Sequence, residues 1–247
     1  MRLTETGASR DEALPIVHNL LAAALMECCE PGLVKAIKSH ASFDAAVDDC
    51  ADDLLAFARK DPAAGGSLRA IAQGYSSFKA VAHYRLANAL HREGALIRPD
   101  DDSICASIDF LSCRGKMLSG AEIHPRCTIG RRFVLDHGWG TVIGETAFLG
   151  DDCYVLGGVV LGAIGIADNP RAKRHPTIGH RVQIGAYARV FGPVSIGDDA
   201  FIGAHCVVRH DVKAHSRVLL KSTLQIIKER VGARIIEPRC EGRLSHE

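Results

Sequence analysis

Residues 178–212 read IGHRVQ IGAYAR VFGPVS IGDDAF IGAHCV VRHDV, and cut in sixes they place Ile178, Ile184, Val190, Ile196, Ile202 and Val208 at one repeated position, with glycine following four of the six. A helix repeats apolar residues every three or four positions and an ordinary strand every two, so a strict period of six fits neither and marks a solenoid. The period predicts a parallel β-helix in which each unit supplies one short flat face. The aliphatic residue points inward, and glycine or a small polar residue turns the corner where positive φ is useful. Three faces then close one coil of 18 residues, and because a single coil buries little, several must stack.

The same beat extends upstream. Ile123, Ile129 and Leu135 are spaced by six, and after a step of eight come Ile143, Leu149, Val155 and Leu161. From Leu161 to Ile178 the step is 17, one hexapeptide plus 11 residues that must leave the coil as a loop. Both breaks hold histidine, in Asp136-His137-Gly138 and in Arg174-His175-Pro176. Insertions that interrupt a repeat are where function tends to sit.

Outside the repeat the chain reads as helical. Residues 11–29 place acidic residues before an apolar body, the order that suits the positive end of a helix dipole, and Pro31 closes the segment. Ser42 opens a second helix that ends near Asp61-Pro62, because the residue before proline is pushed out of the α region. A third runs from Ser77 to Leu90 with Gly94 as its stop, and a fourth from Ser103 to about Met117. The expected organisation is α plus left-handed parallel β-helix: a helical N-terminal domain over 1–120, a hexapeptide-repeat solenoid of four to five coils over 121–216, and a tail over 217–247. Leu219 to Val231 of that tail has helical spacing, and Cys240 to Glu247 is polar and mobile.

A chain of 247 residues with net charge +1 has no electrostatic support for a nucleic-acid or acidic-membrane partner. The nine cysteines are odd in number, lack a disulfide-framework spacing and suit a reducing, cytoplasmic setting. Glu5, Arg10, Asp11 and Glu12 precede the first apolar run, which His18 and Asn19 interrupt, so neither a signal peptide nor a membrane span is expected. The flat flanks of a triangular solenoid are covered by packing three prisms side by side, which predicts a homotrimer, or a dimer of trimers joined through the helices.

Over residues 45–212 the chain resembles the serine O-acetyltransferases of cysteine biosynthesis. The resemblance is carried by Lys60-Asp61-Pro62-Ala63, Tyr84-Arg85, Ile123-His124-Pro125, Leu135-Asp136-His137, Val142-Ile143-Gly144-Glu145-Thr146 and Arg174-His175-Pro176, in register with the hexapeptides. It implies direct transfer of an acetyl group from acetyl-CoA, a co-substrate and not a permanently bound cofactor, to the hydroxyl of L-serine, in a site between neighbouring subunits. A serine hydroxyl needs a general base, for which imidazole is well matched at neutral pH. By this correspondence His137 is that base, Glu122 stands where the family has the aspartate that orients it, and His175 meets the hydroxyl or developing oxyanion. Asp61 and Asp136 are implied partners of the substrate ammonium, Arg174 of its carboxylate, and Glu145 a further substrate-side residue. Gly162, Ala163, Ala186 and Ala204 are implied on the acyl-donor side.

The donor side departs from the family. Gly-Gly-Thr-Gly becomes Gly162-Ala163-Ile164-Gly165, and the two Gly-Ala-Gly corners become Gly185-Ala186-Tyr187 and Gly203-Ala204-His205. Ala186 and Ala204 are 18 apart and stack as a small-residue wall, yet Tyr187 and His205 are also 18 apart and stack beside it. The family's Gly-Val-Pro-Ala is replaced by Leu219-Leu220-Lys221-Ser222, and the chain ends in Ser245-His246-Glu247 without a terminal isoleucine, so docking to cysteine synthase through such a tail is not expected. Another hydroxy amino acid, such as homoserine or threonine, or another acyl donor remains open. Two other classes compete: a γ-carbonic-anhydrase-like zinc enzyme using His175, His180 and His137, against which no metal is expected, and a non-catalytic scaffold.

Overall fold

The computed structural model describes residues 7–97, 102–169, 171–221, 230–231 and 234–235. Every column residue from Ile123 to Val208 is at most 6% exposed. Their strands stack into three parallel ladders. The first face holds β1 (Glu122–Ile123), β4 (Val142–Ile143), β7 (Val160–Gly162), β10 (Arg189–Phe191) and β13 (Val207–Val208). The second holds β2 (Thr128–Ile129), β5 (Phe148–Leu149), β8 (Thr177–Ile178) and β11 (Ser195–Ile196), continued by a bridge from Ile196 to Val212. The third holds β3 (Val134–Asp136), β6 (Tyr154–Leu156), β9 (Gln183–Ile184), β12 (Phe201–Ile202) and β14 (Arg217–Val218). Ile123 pairs with Ile143, Ile129 with Leu149 and Leu135 with Val155, so one column residue lies over the next. The fifth coil reaches Val218, two residues past the expected boundary at 216.

The corners use the expected glycine and small polar residues, as at Gly158, Asp152 and Asp199, but larger side chains as well. Arg132, Asp152, Arg181, Asp199 and His215, between the second and third faces, and His137, Tyr187 and His205, between the third and first, all have φ between 57° and 62°. The glycine that follows a column residue answers to stacking: a Cβ on Gly185 would lie 2.5 Å from the Ala204 nitrogen, and one on Gly197 2.4 Å from that of Ala214. Left-handed N–H groups donate to the turn below, as Asp152 does to Arg131 O (2.9 Å) and Tyr187 to Gly157 O (3.0 Å).

The helices are α1 (Arg10–Cys28), α2 (Pro31–Lys38), α3 (Ala41–Lys60), α4 (Leu68–Gly74), α5 (Ser76–Ile97) and α6 (Asp102–Ser119). Pro31 opens α2 as a first-turn proline, with Glu30 accepting from Gly32 and Leu33. Gly94, expected to stop α5, lies inside it, because α6 approaches so closely that a Cβ there would meet Ile104 Cγ2 at 2.6 Å. No helix among the described residues is long and apolar enough to cross a membrane. Arg230–Val231 pairs antiparallel with Arg234–Ile235, where the spacing predicts the end of a helix. Residues 222–229 of that expected helix and Cys240–Glu247 lie outside the described residues.

Helix α5 completes the open end of the solenoid. In a parallel strand alternate residues direct both backbone groups to one side, and on the first coil those of Ile129 face a coil that does not exist. Ile129 N–H instead donates to Tyr84 Oη (3.0 Å), and Ile129 O accepts from Arg85 Nη1 (2.6 Å). Tyr84 Oη donates on to Cys127 O, and Asn88 donates to Pro125 O. Arg85 also grips the fully buried Asp53 carboxylate at 2.7 and 3.0 Å, and Asp53 accepts from Phe133 N–H at 2.8 Å. Tyr84-Arg85 thus fixes α3 and α5 to the first coil, which sets where Asp61, at the end of α3, meets the solenoid.

Candidate active site

The corner between the third and first faces holds the first group of expected residues. Asp136 ends β3, and His137 follows it in the left-handed region with its ring 82% exposed. Asp136 accepts a hydrogen bond from Tyr154 Oη at 2.9 Å. Asp61 accepts from Ala63 N–H at 2.9 Å and is hydrogen-bonded to the Tyr75 hydroxyl, which is pushed above its ordinary pKa chiefly by that bond. Both Tyr75 and Tyr154 feel both carboxylates, so α3 and β3 bring Asp61 and Asp136 together. Among the described residues neither carboxylate has a lysine or arginine ion-pair partner, which leaves their charge available to a cation.

The expected Glu122 to His137 pair is not formed within the chain. Glu122 Oε2 accepts from Lys116 Nζ at 2.5 Å, at the end of α6, and the carboxylate nearest the His137 ring is Asp136, at 3.7 Å from Nδ1. Glu122, His124 and Arg126 face His91, Cys105 and Lys116 across a groove of about 510 Å³.

The second group sits at the corner between the first and second faces. Thr146 organises it: its Oγ1 accepts from the backbone N–H of Arg174 and of His175, both at 3.0 Å, and lies 2.9 Å from His175 Nδ1. Thr146 N–H also donates to that Nδ1 at 3.1 Å. A backbone N–H can only donate, so Nδ1 is an acceptor and the neutral ring carries its proton on Nε2. Burial, and then Arg174, lower the pKa of His175 and keep it neutral. Its ring packs against Gly144, where a Cβ would fall 2.1 Å from Nε2.

Glu145 is not free for a substrate. Its Oε1 takes Arg126 Nε at 3.1 Å and its Oε2 takes Arg174, and the hydrogen bond from Arg174 holds its carboxyl below the usual range. Two guanidinium groups against one carboxylate leave that cluster one charge positive, and Lys173, donating to Thr146 O at 2.6 Å, adds a further cation to this corner.

The chain does not join the two groups. Strand β4 separates the His137 corner from the Arg174 and His175 corner, so within one prism they look outward along different edges. The donor-side residues divide the same way, with Ala186 and Ala204 on the His137 corner and Gly162 and Ala163 where β7 leaves for the loop. Strand β8 likewise parts His175 from His180, whose Nδ1 accepts from Asp151 N–H at 3.0 Å, and no three ligating side chains gather among the described residues. Cys127 and Cys153 pack, their thiols pushed up to about 12 and about 11 by burial. Thr146, Tyr75, Tyr154 and Arg126 were not singled out by sequence. Thr146 stood inside a recognised motif; the others are visible only once the coils are laid out.

Residues 175–210 match the family model of the bacterial transferase hexapeptide, six repeats. A serine acetyltransferase of Helicobacter pylori strain 26695 is 38% identical over 70% of this chain and 93% of its own length. One of Mycobacterium tuberculosis is 43% identical over 63% of this chain and 62% of its own. Among solved structures, a Neisseria gonorrhoeae serine acetyltransferase in complex with serine superposes with a TM-score of 0.69 at 28% identity, over 83% of this chain and 82% of that one. A soybean serine acetyltransferase complexed with serine gives 0.67 at 28% identity, over 89% and 83%. With its left-handed β-helix, helical N-terminal region and these relatives, the chain belongs to the serine acetyltransferase family and is an enzyme of that type.

Proposed function

We propose that the chain transfers an acetyl group from acetyl-CoA directly to the hydroxyl of L-serine, in a site completed between two subunits of a homotrimer, in the cytoplasm. The observation that carries this is the division of the residues between two corners. One offers carboxylates and an exposed imidazole; the other offers net positive charge and a neutral imidazole that carries its proton on Nε2. A head-to-tail ring of three prisms apposes unlike corners of neighbouring chains, which makes such halves into one site.

In this site Asp61 and Asp136 hold the serine ammonium, and Arg174 of the neighbouring subunit holds its carboxylate. His137 takes the hydroxyl proton as the serine oxygen attacks the thioester carbonyl. The developing oxyanion accepts from His175 Nε2–H, whose tautomer Thr146 fixes. Collapse breaks the carbon–sulfur bond, and the CoA thiolate leaves with the proton held by His137. Glu122 is the orienting carboxylate. Its bridge to Lys116 joins side chains 47% and 56% exposed, and exposed pairs are worth about 0–1 kcal/mol, so exchanging that partner for His137 costs little. Glu145 braces Arg174.

The test is thiol release from acetyl-CoA by purified protein with serine, homoserine and threonine in turn, with the mass read by light scattering. Serine-dependent release by a particle of three or six chains is expected. Release with none of the three, or a monomer, would overturn the reading.

A further inference from the structure

The corner that carries His137 continues as a column of rings that the reaction above does not use. A Cβ on Gly157 would lie 3.4 Å from His137 Cβ, which places Gly157 and Gly158 on the next rung. Tyr187 follows, its ring lying over Gly158 so closely that a Cβ there would meet Tyr187 Cδ1 at 2.3 Å. His205 stacks on Tyr187 with ring centroids 5.3 Å apart and planes 11° apart. Rungs of a β-solenoid repeat at about 4.8 Å, so Tyr187 stands roughly two rungs, about 10 Å, from the base. Both ring residues have left-handed φ, 58° and 60°, where glycine would be at ease and any Cβ is disfavoured. The backbone does not require rings here, because the neighbouring corner makes the same turns with arginine and aspartate.

An acyl donor has one way out along this edge. Its carbonyl must reach the serine oxygen at His137, while Asp61, α3 and α5 close the end of the solenoid that holds the first coil. The arm behind the thioester therefore runs toward the later coils, past Ala186 and Ala204, where Tyr187 and His205 stand beside it.

We propose that the Tyr187–His205 stack sets acyl-donor recognition in this enzyme, narrowing the corner between the third and first faces against the arm of a CoA thioester while leaving serine recognition untouched. The proposal rests on the acetyl transfer described above. Calorimetric titration of CoA and of serine into the parent and into the Tyr187→Gly/His205→Gly double variant tests it, with S-acetyl-N-acetylcysteamine, a thioester too short to reach Tyr187, as comparison donor. The double variant is expected to bind CoA at least tenfold tighter, to bind serine within twofold of the parent, and to keep its kcat/KM for the short thioester. CoA binding that is unchanged or weaker in the variant would overturn the proposal. Glycine suits the left-handed backbone, and a Tyr187→Asn/His205→Asn pair with its melting temperature guards against lost packing. If the parent releases no thiol from either donor with serine, the reaction itself is misassigned, and the CoA titration still decides the role of the rings.

Discussion

Between the second and third faces the left-handed positions carry Arg132, Asp152, Arg181, Asp199 and His215; between the third and first faces they carry His137, Gly158, Tyr187 and His205. The former close on themselves. Arg132 grips Asp152 at 2.9 and 2.7 Å, and Arg181 grips Asp199 with two bonds of 2.8 Å. The alternating charges are paired along the axis, with His215 beyond them at 3.7 Å from Asp199 and, like Arg181, exposed. The latter stack or stand alone, with Tyr187 51% exposed and the His137 ring more so. One backbone device thus builds a sealed edge and a reactive edge, and side-chain chemistry alone separates them.

The sharpest way to break that contrast is to remove the imidazole. His137→Ala should lower kcat about 10²–10⁴-fold, the usual worth of a general base, with melting temperature unchanged because the ring is largely exposed. Arg181→Ala, on the sealed edge, should leave kcat within twofold. Glu122→Gln should lower kcat by less than His137→Ala does, since the base itself remains; full activity there would give the orienting role to Asp136.

Arg174→Ala comes next. A substrate carboxylate that loses a charge-assisted partner loses about 1.5–3 kcal/mol, so serine affinity should fall while CoA affinity holds. Separate titrations of the two ligands check this. Equal loss for both would make Arg174 a brace for Glu145 and the loop.

The coils were legible because the aliphatic column never leaves its period within a run, and Tyr187 over His205 was legible because both fall inside the regular stretch, 18 apart. The sealed edge was not. Its residues are spaced 20, 29, 18 and 16 apart, since the step of eight and the 11-residue loop fall between them. The two corners of the site were named by family motif, but their separation follows only from β4 lying between them. The spacing assigns positive φ at the turns to glycine or a small polar residue; Gly158, Asp152 and Asp199 take it, but so do arginine, histidine and tyrosine, and the glycine that follows a column residue answers to stacking distance instead. Gly94 reads as a stop because sequence does not show that α6 returns across that residue. Helices α2 and α4, of eight and seven residues, are too short for their periodicity to stand out.

The smallest expected effect is on the sealed edge itself. The Asp152 carboxyl is held below its ordinary 3.8, first by its hydrogen bonds from Arg132. A carboxylate with a depressed folded value contributes stability that is complete above the unfolded value and is lost as pH falls through the folded one. Asp152 and Arg132 are each about one-third exposed, 29% and 33%, and exposed pairs are worth about 0.2–1 kcal/mol. Asp152→Asn should therefore lower the urea midpoint slightly at pH 7, leave turnover unchanged, and converge on the parent as the pH drops below 3.8. A difference that persists undiminished in acid would show that the edge is held by shape and backbone rather than by charge. The contrast between the two corners would then rest on the reactive one alone.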